Sequence, residues 1–120
     1  MNTLLIQRVR LDGAETDILI EGNRIARIAP EIAPGTARVI DGSGKAAIPP
    51  FYNTHTHAAM TLLRGYADDM ELFTWLNDYI WPAEGRLTGE DIYAGTRLAL
   101  LEMIRSGTVF FNDMYWYQPD

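Results

Sequence analysis

The sequence predicts an α/β protein. A β-rich first part, residues 1–48, precedes a strand, helices and a second strand in the order of a βαβ unit. Three observations carry this reading. Short apolar runs are punctuated by turn pairs as far as Lys45. The composition changes near Ala46. A long periodic stretch then ends at Gly107 and runs straight into the apolar Thr108-Val109-Phe110-Phe111.

The elements follow in order. Leu4 to Leu11 reads as a strand, apolar at first and then alternating, with Arg8 and Arg10 interleaved with Val9 and Leu11, and Asp12-Gly13 ends it as a turn. Asp17 to Glu21 and Arg24 to Ile28 flank Gly22-Asn23, a pair that supplies the positive φ of a two-residue hairpin. Pro30, Pro34 and Gly35 mark a loop, and Arg38 to Asp41 is another short strand before the turn-rich Asp41 to Lys45. Ala46-Ala47-Ile48 leads through Pro49-Pro50 into Phe51 to His57, a candidate buried strand with a polar tip. Leu72, Trp75, Leu76 and Tyr79 fall at helical spacing, with Pro82 as the limit of that helix. The best-defined helix covers 89–106. Thr88 is its N-cap, and Asp91 stands where a capping box wants Glu or Gln. Ile92, Thr96, Ala99, Leu100, Met103 and Ile104 form its apolar stripe, Arg105 suits the negative end of the helix dipole, and Gly107 is the left-handed stop.

Composition excludes several classes of function. A net charge of −6, with the 10 basic residues scattered, argues against a nucleic-acid partner. No cysteine is present, so disulfides and thiolate zinc sites are both ruled out, and with them the cysteine-based zinc deaminases. No apolar stretch approaches the length of a membrane span, and the start of the chain lacks a signal-peptide pattern, so a cytoplasmic protein with no membrane partner is expected. Ser43 and Ser106 are the only serines, and neither sits in a nucleophile elbow.

What remains for chemistry is a histidine pair. His55 and His57 are the only histidines, and an i, i+2 spacing on a strand puts both imidazoles on one face, where they can reach one metal. The bland alternative is an incidental exposed pair at a strand end. Catalytic zinc normally has three protein ligands, so two histidines do not complete a site. Among the carboxylates, Asp68-Asp69 reads as a solvated loop and Glu102 as exposed. Glu84, by composition alone, is an ordinary surface residue. Asp113 stands at a strand exit, a place for a residue that lines a site, supports one or merely caps a loop. The aromatics Phe73, Trp75, Tyr79 and Trp81 read mostly as core. Tyr115-Trp116-Tyr117 is the better candidate for lining a pocket for a flat base.

The run Ile48-Pro49-Pro50-Phe51-Tyr52-Asn53-Thr54-His55-Thr56-His57 resembles the first-strand signature of the amidohydrolase superfamily. Its continuation from Ala58 through Arg64-Gly65 to Asp68-Asp69, with Trp81-Pro82-Ala83-Glu84, is similar to the branch holding 5-methylthioadenosine/S-adenosylhomocysteine deaminases, chlorohydrolases and guanine deaminases. The resemblance runs over essentially the whole chain. It implies part of a small β-sandwich over 1–48 and the start of a (β/α)8 TIM-like barrel over 49–120. It implies one zinc ion per subunit, with His55 and His57 as metal ligands, and Glu84 as a substrate-binding residue that contacts nucleoside hydroxyls. The further ligands and the proton-moving carboxylate are expected downstream, so no catalytic residue is assigned within these residues. One position departs from the family: Pro50 replaces a glycine, so the strand is expected to begin differently.

The expected function is therefore zinc-dependent hydrolytic deamination of an adenosine-type nucleoside, with ammonia released. The rival within the class is a free base or triazine as substrate, and self-association is left open. The rival from another class is a non-catalytic fragment or interaction module. A closed barrel needs about eight βα units and roughly 250 residues. This chain supplies about two such units, so the 120 residues alone are expected to be inactive and poorly stable.

Overall fold

The computed structural model describes residues 3–115, which divide into two compact units between Pro49 and Pro50. The first unit is a four-stranded sheet of β1 (Thr3–Leu11), β2 (Ala14–Glu21), β3 (Arg24–Ala29) and β4 (Arg38–Asp41), in the order β3-β2-β1-β4. β1 to β3 form an antiparallel meander, and β4 returns parallel to β1. Both expected turns are present, and β2 starts three residues before the apolar run that signalled it. Leu5, Val9, Ile18 and Ile32 are its buried apolar residues, while Ile25 and Ile28 on the outer strand stay exposed.

One feature of β1 was not legible beforehand. Leu5 pairs with Leu19 but Val9 with Thr16, so an extra residue is inserted between Ile6 and Val9. Arg8 carries it, at φ 58. Leu19 and Thr16 have opposite parity on β2, so the bulge carries Val9 to the face opposite Leu5. Asp17 stabilises this irregularity. Its carboxylate accepts the Arg8 N–H at 2.8 Å and the Ile32 N–H at 2.9 Å, and Asp17 is only 3% exposed. The Arg8 N–H, followed by those from Ile32 and Gln7, holds the Asp17 carboxyl below the usual carboxylate range despite the opposing effect of burial.

The second unit contains β5 (Phe51–Thr56) and β6 (Thr108–Asp113), paired in parallel. β5 begins directly after Pro50, a place where a strand needs no N–H from the preceding residue. The crossover holds a 3₁₀ segment Ala58–Leu63, α1 (Leu72–Thr74), a π turn Trp75–Ile80, α2 (Trp81–Glu84) and α3 (Gly89–Arg105). This is the strand–helix–strand order expected for the α/β class. Pro82 does not end the helical stretch, contrary to expectation. It occupies the first turn of α2, where no intrahelical donor is required, directly after the π turn.

α3 matches its signals closely. The Thr88 hydroxyl accepts the Asp91 N–H and the Asp91 carboxylate accepts the Thr88 N–H at 2.8 Å, so the capping box closes with Asp in place of Glu. Gly107 follows at φ 84. The helix packs on the 3₁₀ segment at Gly95, where a Cβ would lie 2.6 Å from the Ala59 carbonyl oxygen. Glu102, expected to be solvated, is exposed but takes a two-point contact from Arg64. β5 was expected to be buried, yet Phe51 is 55% and Tyr52 65% exposed, and in β6 Val109 is 65% and Phe110 52% exposed, because among the described residues these two strands pair only with each other. Phe73 and Tyr79 are likewise exposed rather than core. No helix of the described residues is long and apolar enough to cross a membrane.

Candidate metal centre

β5 delivers His55 and releases the chain one residue later. Its last strand residue is Thr56, so His57 stands just past the strand rather than on it. The imidazoles nevertheless come together, with ring centroids 5.0 Å apart at an interplanar angle of 82°. Two imidazoles on one tetrahedral zinc, each with a Zn–N bond of about 2.0–2.1 Å, have centroids about 5 Å apart. The observed pair fits that requirement. Both rings are solvent-accessible, as incoming ligands require.

Several bonds hold this corner. The Asn53 side chain accepts the His55 N–H at 3.3 Å. Just past β6, Met114 N–H donates to the Thr56 carbonyl at 2.9 Å, and within β6 Asn112 donates to the Thr54 carbonyl at 3.4 Å. Asp113, paired with Thr56 across the sheet, accepts the Ala58 N–H at 3.1 Å. Of the roles its strand-exit position left open, Asp113 performs support of the segment that follows His57. The register of the two strands, which the sequence does not display, is what brings it there.

A pocket of about 270 Å³ opens beside His57. Its wall is largely apolar, with Met60, Trp75, Leu76 and Met114, and one carboxylate reaches it, that of Glu84. Glu84 is 6% exposed, which overturns its composition-based reading as a surface residue. The π turn and α2 bring it there, because they continue the helix past Pro82 to residue 84. Of the expected aromatics, Trp75, Trp81 and Tyr115 line the pocket. Trp116 and Tyr117 lie outside the described residues. His55 does not line this pocket, so the histidine pair and the pocket share His57 alone.

Among the described residues, no group of three or more His, Cys, Asp or Glu side chains is placed to hold a metal. The histidine pair thus stands without a third such side chain beside it among those residues, and His57 and Glu84 line the same apolar pocket. A second cavity of about 300 Å³ lies in the β-unit beside Arg8, Arg10 and Lys45, far along the chain from this chemistry.

The sequence profile described as the Amidohydrolase family matches residues 46–119. A 5'-deoxyadenosine deaminase from Methanothermobacter thermautotrophicus is 60% identical over 101 residues, which cover 83% of this chain and 24% of that protein. A 5-methylthioadenosine/S-adenosylhomocysteine deaminase from Carboxydothermus hydrogenoformans is 48% identical over 122 residues, covering 99% of this chain and 28% of that one. The crystal structure of an adenosine deaminase from Xanthomonas campestris with bound zinc superposes with a TM-score of 0.81 at 32% identity, over 95% of this chain and 29% of the other. The chain thus spans about a quarter of the length of the curated relatives it matches.

Proposed function

Because this chain belongs to the amidohydrolase family, we propose that it forms the first part of a zinc-dependent deaminase of adenosine-type nucleosides. 5'-Deoxyadenosine, 5-methylthioadenosine and S-adenosylhomocysteine are the leading substrates. The observation that carries the proposal is the imidazole pair at zinc-ligand spacing beside an apolar pocket with one buried carboxylate. The printed names of the relatives supply the nucleoside class.

In this reading His55 and His57 would hold the metal, which would supply the Lewis acidity that makes a water nucleophilic near neutral pH. Water adds at the purine carbon bearing the amino group, and ammonia leaves. Glu84 accepts hydrogen bonds from nucleoside hydroxyls in a cavity whose apolar wall excludes competing water, which strengthens that contact. The remaining ligands and the proton-moving carboxylate lie outside these 120 residues, so the 120-residue chain alone is inactive in this reading. The proposed setting is the cytoplasm, in keeping with a chain free of cysteine.

The test is ammonia release from 5'-deoxyadenosine and methylthioadenosine by the full-length protein, with zinc content measured alongside. His55→Ala and His57→Ala are expected to lose bound zinc and at least 100-fold in kcat/KM, in line with the loss of about 3 kcal/mol of transition-state stabilisation. Full-rate deamination by His55→Ala would refute the assignment.

A further inference from the structure

We infer that Asp113 is a positioning residue for His57, supplying from the neighbouring strand the helix cap that His57 cannot give. The inference rests on the metal-site reading above. His57 occupies the N-cap of the 3₁₀ segment Ala58–Leu63, at φ −128 and ψ 76, and its side chain makes no capping bond. That position ordinarily takes Ser, Thr, Asp or Asn, whose side-chain oxygen accepts the first free N–H groups of the turn. An imidazole committed to a metal cannot do this.

The need for a cap does not disappear. Ala58 is 1% exposed, and a donor buried there without a partner is expensive. Asp113 Oδ1 meets it at 3.1 Å from a residue 55 positions away. The carboxylate is itself aimed by the strand register, through the pairing of Thr56 with Asp113 and the bond from Met114 N–H to the Thr56 carbonyl. On the other side of the turn, Met60 N–H donates to the His57 carbonyl at 3.0 Å and the Thr61 hydroxyl donates to the Ala58 carbonyl at 2.7 Å. The backbone of His57 is thus held before it by the strand and after it by Asp113. The bond to Ala58 sets the direction in which the imidazole leaves the chain, which is what a metal ligand needs from its surroundings.

The test measures zinc affinity of the full-length apoprotein by competition with a chromophoric chelator, together with kcat and KM. Asp113→Leu removes the acceptor, and zinc affinity is expected to fall about 10–100-fold, with kcat lowered and KM little changed. Asp113→Asn keeps the Oδ1 acceptor and is expected to stay within about threefold of the wild type in affinity, with the Ala58 amide still slow to exchange. If Asp113→Leu does not fold, Asp113→Ser takes its place under the same expectations, its oxygen being too short to reach Ala58. Wild-type affinity in the acceptor-free variant overturns the inference. So does an Asp113→Asn protein as weak as the acceptor-free one, since charge and not the cap would then be what matters. Wild-type protein that takes up no zinc at all would bring down the metal-site reading and this inference together, a result distinguishable from the other two.

Discussion

Gly95→Ala pits two opposed effects against each other, and the structure decides the sign. In an exposed helix the change is favourable by about 0.5–1 kcal/mol, since Ala loses less backbone entropy than Gly. At position 95 the new Cβ would lie 2.6 Å from the Ala59 carbonyl oxygen, 2.9 Å from Leu62 Cγ and 3.2 Å from Leu62 Cδ1. Leu62 is partly exposed and can swing aside. Ala59 is itself fully buried, next to the Ala58 N–H that is tied to Asp113, so its carbonyl has little room to move. Overpacking of this kind costs about 1–3 kcal/mol, which at mid-range leaves a net loss of about 1 kcal/mol. Native-state hydrogen exchange at the α3 amides of the full-length protein reads that loss directly as a lower opening free energy. A double-mutant cycle with Leu62→Ala separates the two contacts, and less than half of the loss should be recovered because the backbone contact persists. An unchanged or raised opening free energy in Gly95→Ala would refute the close-packing argument.

Three further outcomes are expected. The Asp17 carboxyl is held below its ordinary value, so its stabilising contribution is complete above about pH 4 and is lost as the pH falls through the lowered value. Asp17→Asn should therefore destabilise the β-unit by about 1–3 kcal/mol at pH 7 through a mispaired buried donor, and the gap to wild type should narrow at pH 2–3 in urea titrations. Thr88→Ala opens the capping box of α3 and should cost about 1 kcal/mol, seen as faster exchange in the first turn of that helix. Glu84→Gln should raise KM for a nucleoside at least tenfold while zinc content stays at the wild-type level. A loss of zinc instead would place Glu84 on the metal.

The parts of this architecture written in local pattern were legible in advance. Helix α3 announces itself through Thr88, Asp91, an apolar stripe and Gly107, all within one stretch of chain. The hairpin turns at Asp12-Gly13 and Gly22-Asn23 are equally local. His55 and His57 were legible as a pair because strand periodicity brings alternate residues together, and the ring spacing survives although His57 lies just beyond the strand. What was not legible depends on register or on partners remote in sequence. The bulge at Arg8 is stabilised by Asp17, Asp113 meets Ala58 only through strand pairing, and Glu84 becomes buried only because a π turn carries the helix through Pro82. Exposure of Val109 and Phe110 depends on what packs over β6, which no pattern within these residues encodes. For Glu84 the signal came from resemblance to the amidohydrolases, since nothing in its immediate neighbours distinguishes it from a surface carboxylate.

The bond between Ala58 and Asp113 also has a consequence for the order of events during synthesis. The two residues are 55 positions apart, so at roughly 5–20 residues per second Asp113 is made about 3–11 s after Ala58. The β1–β2 hairpin closes over a short stretch of chain and can form on the microsecond scale, as soon as it clears the ribosome. The histidine corner cannot be held until β6 has followed. Throughout that interval the nascent chain displays His55 on an unpaired strand and His57 just past it, and under the proposed metal role loading would wait for β6.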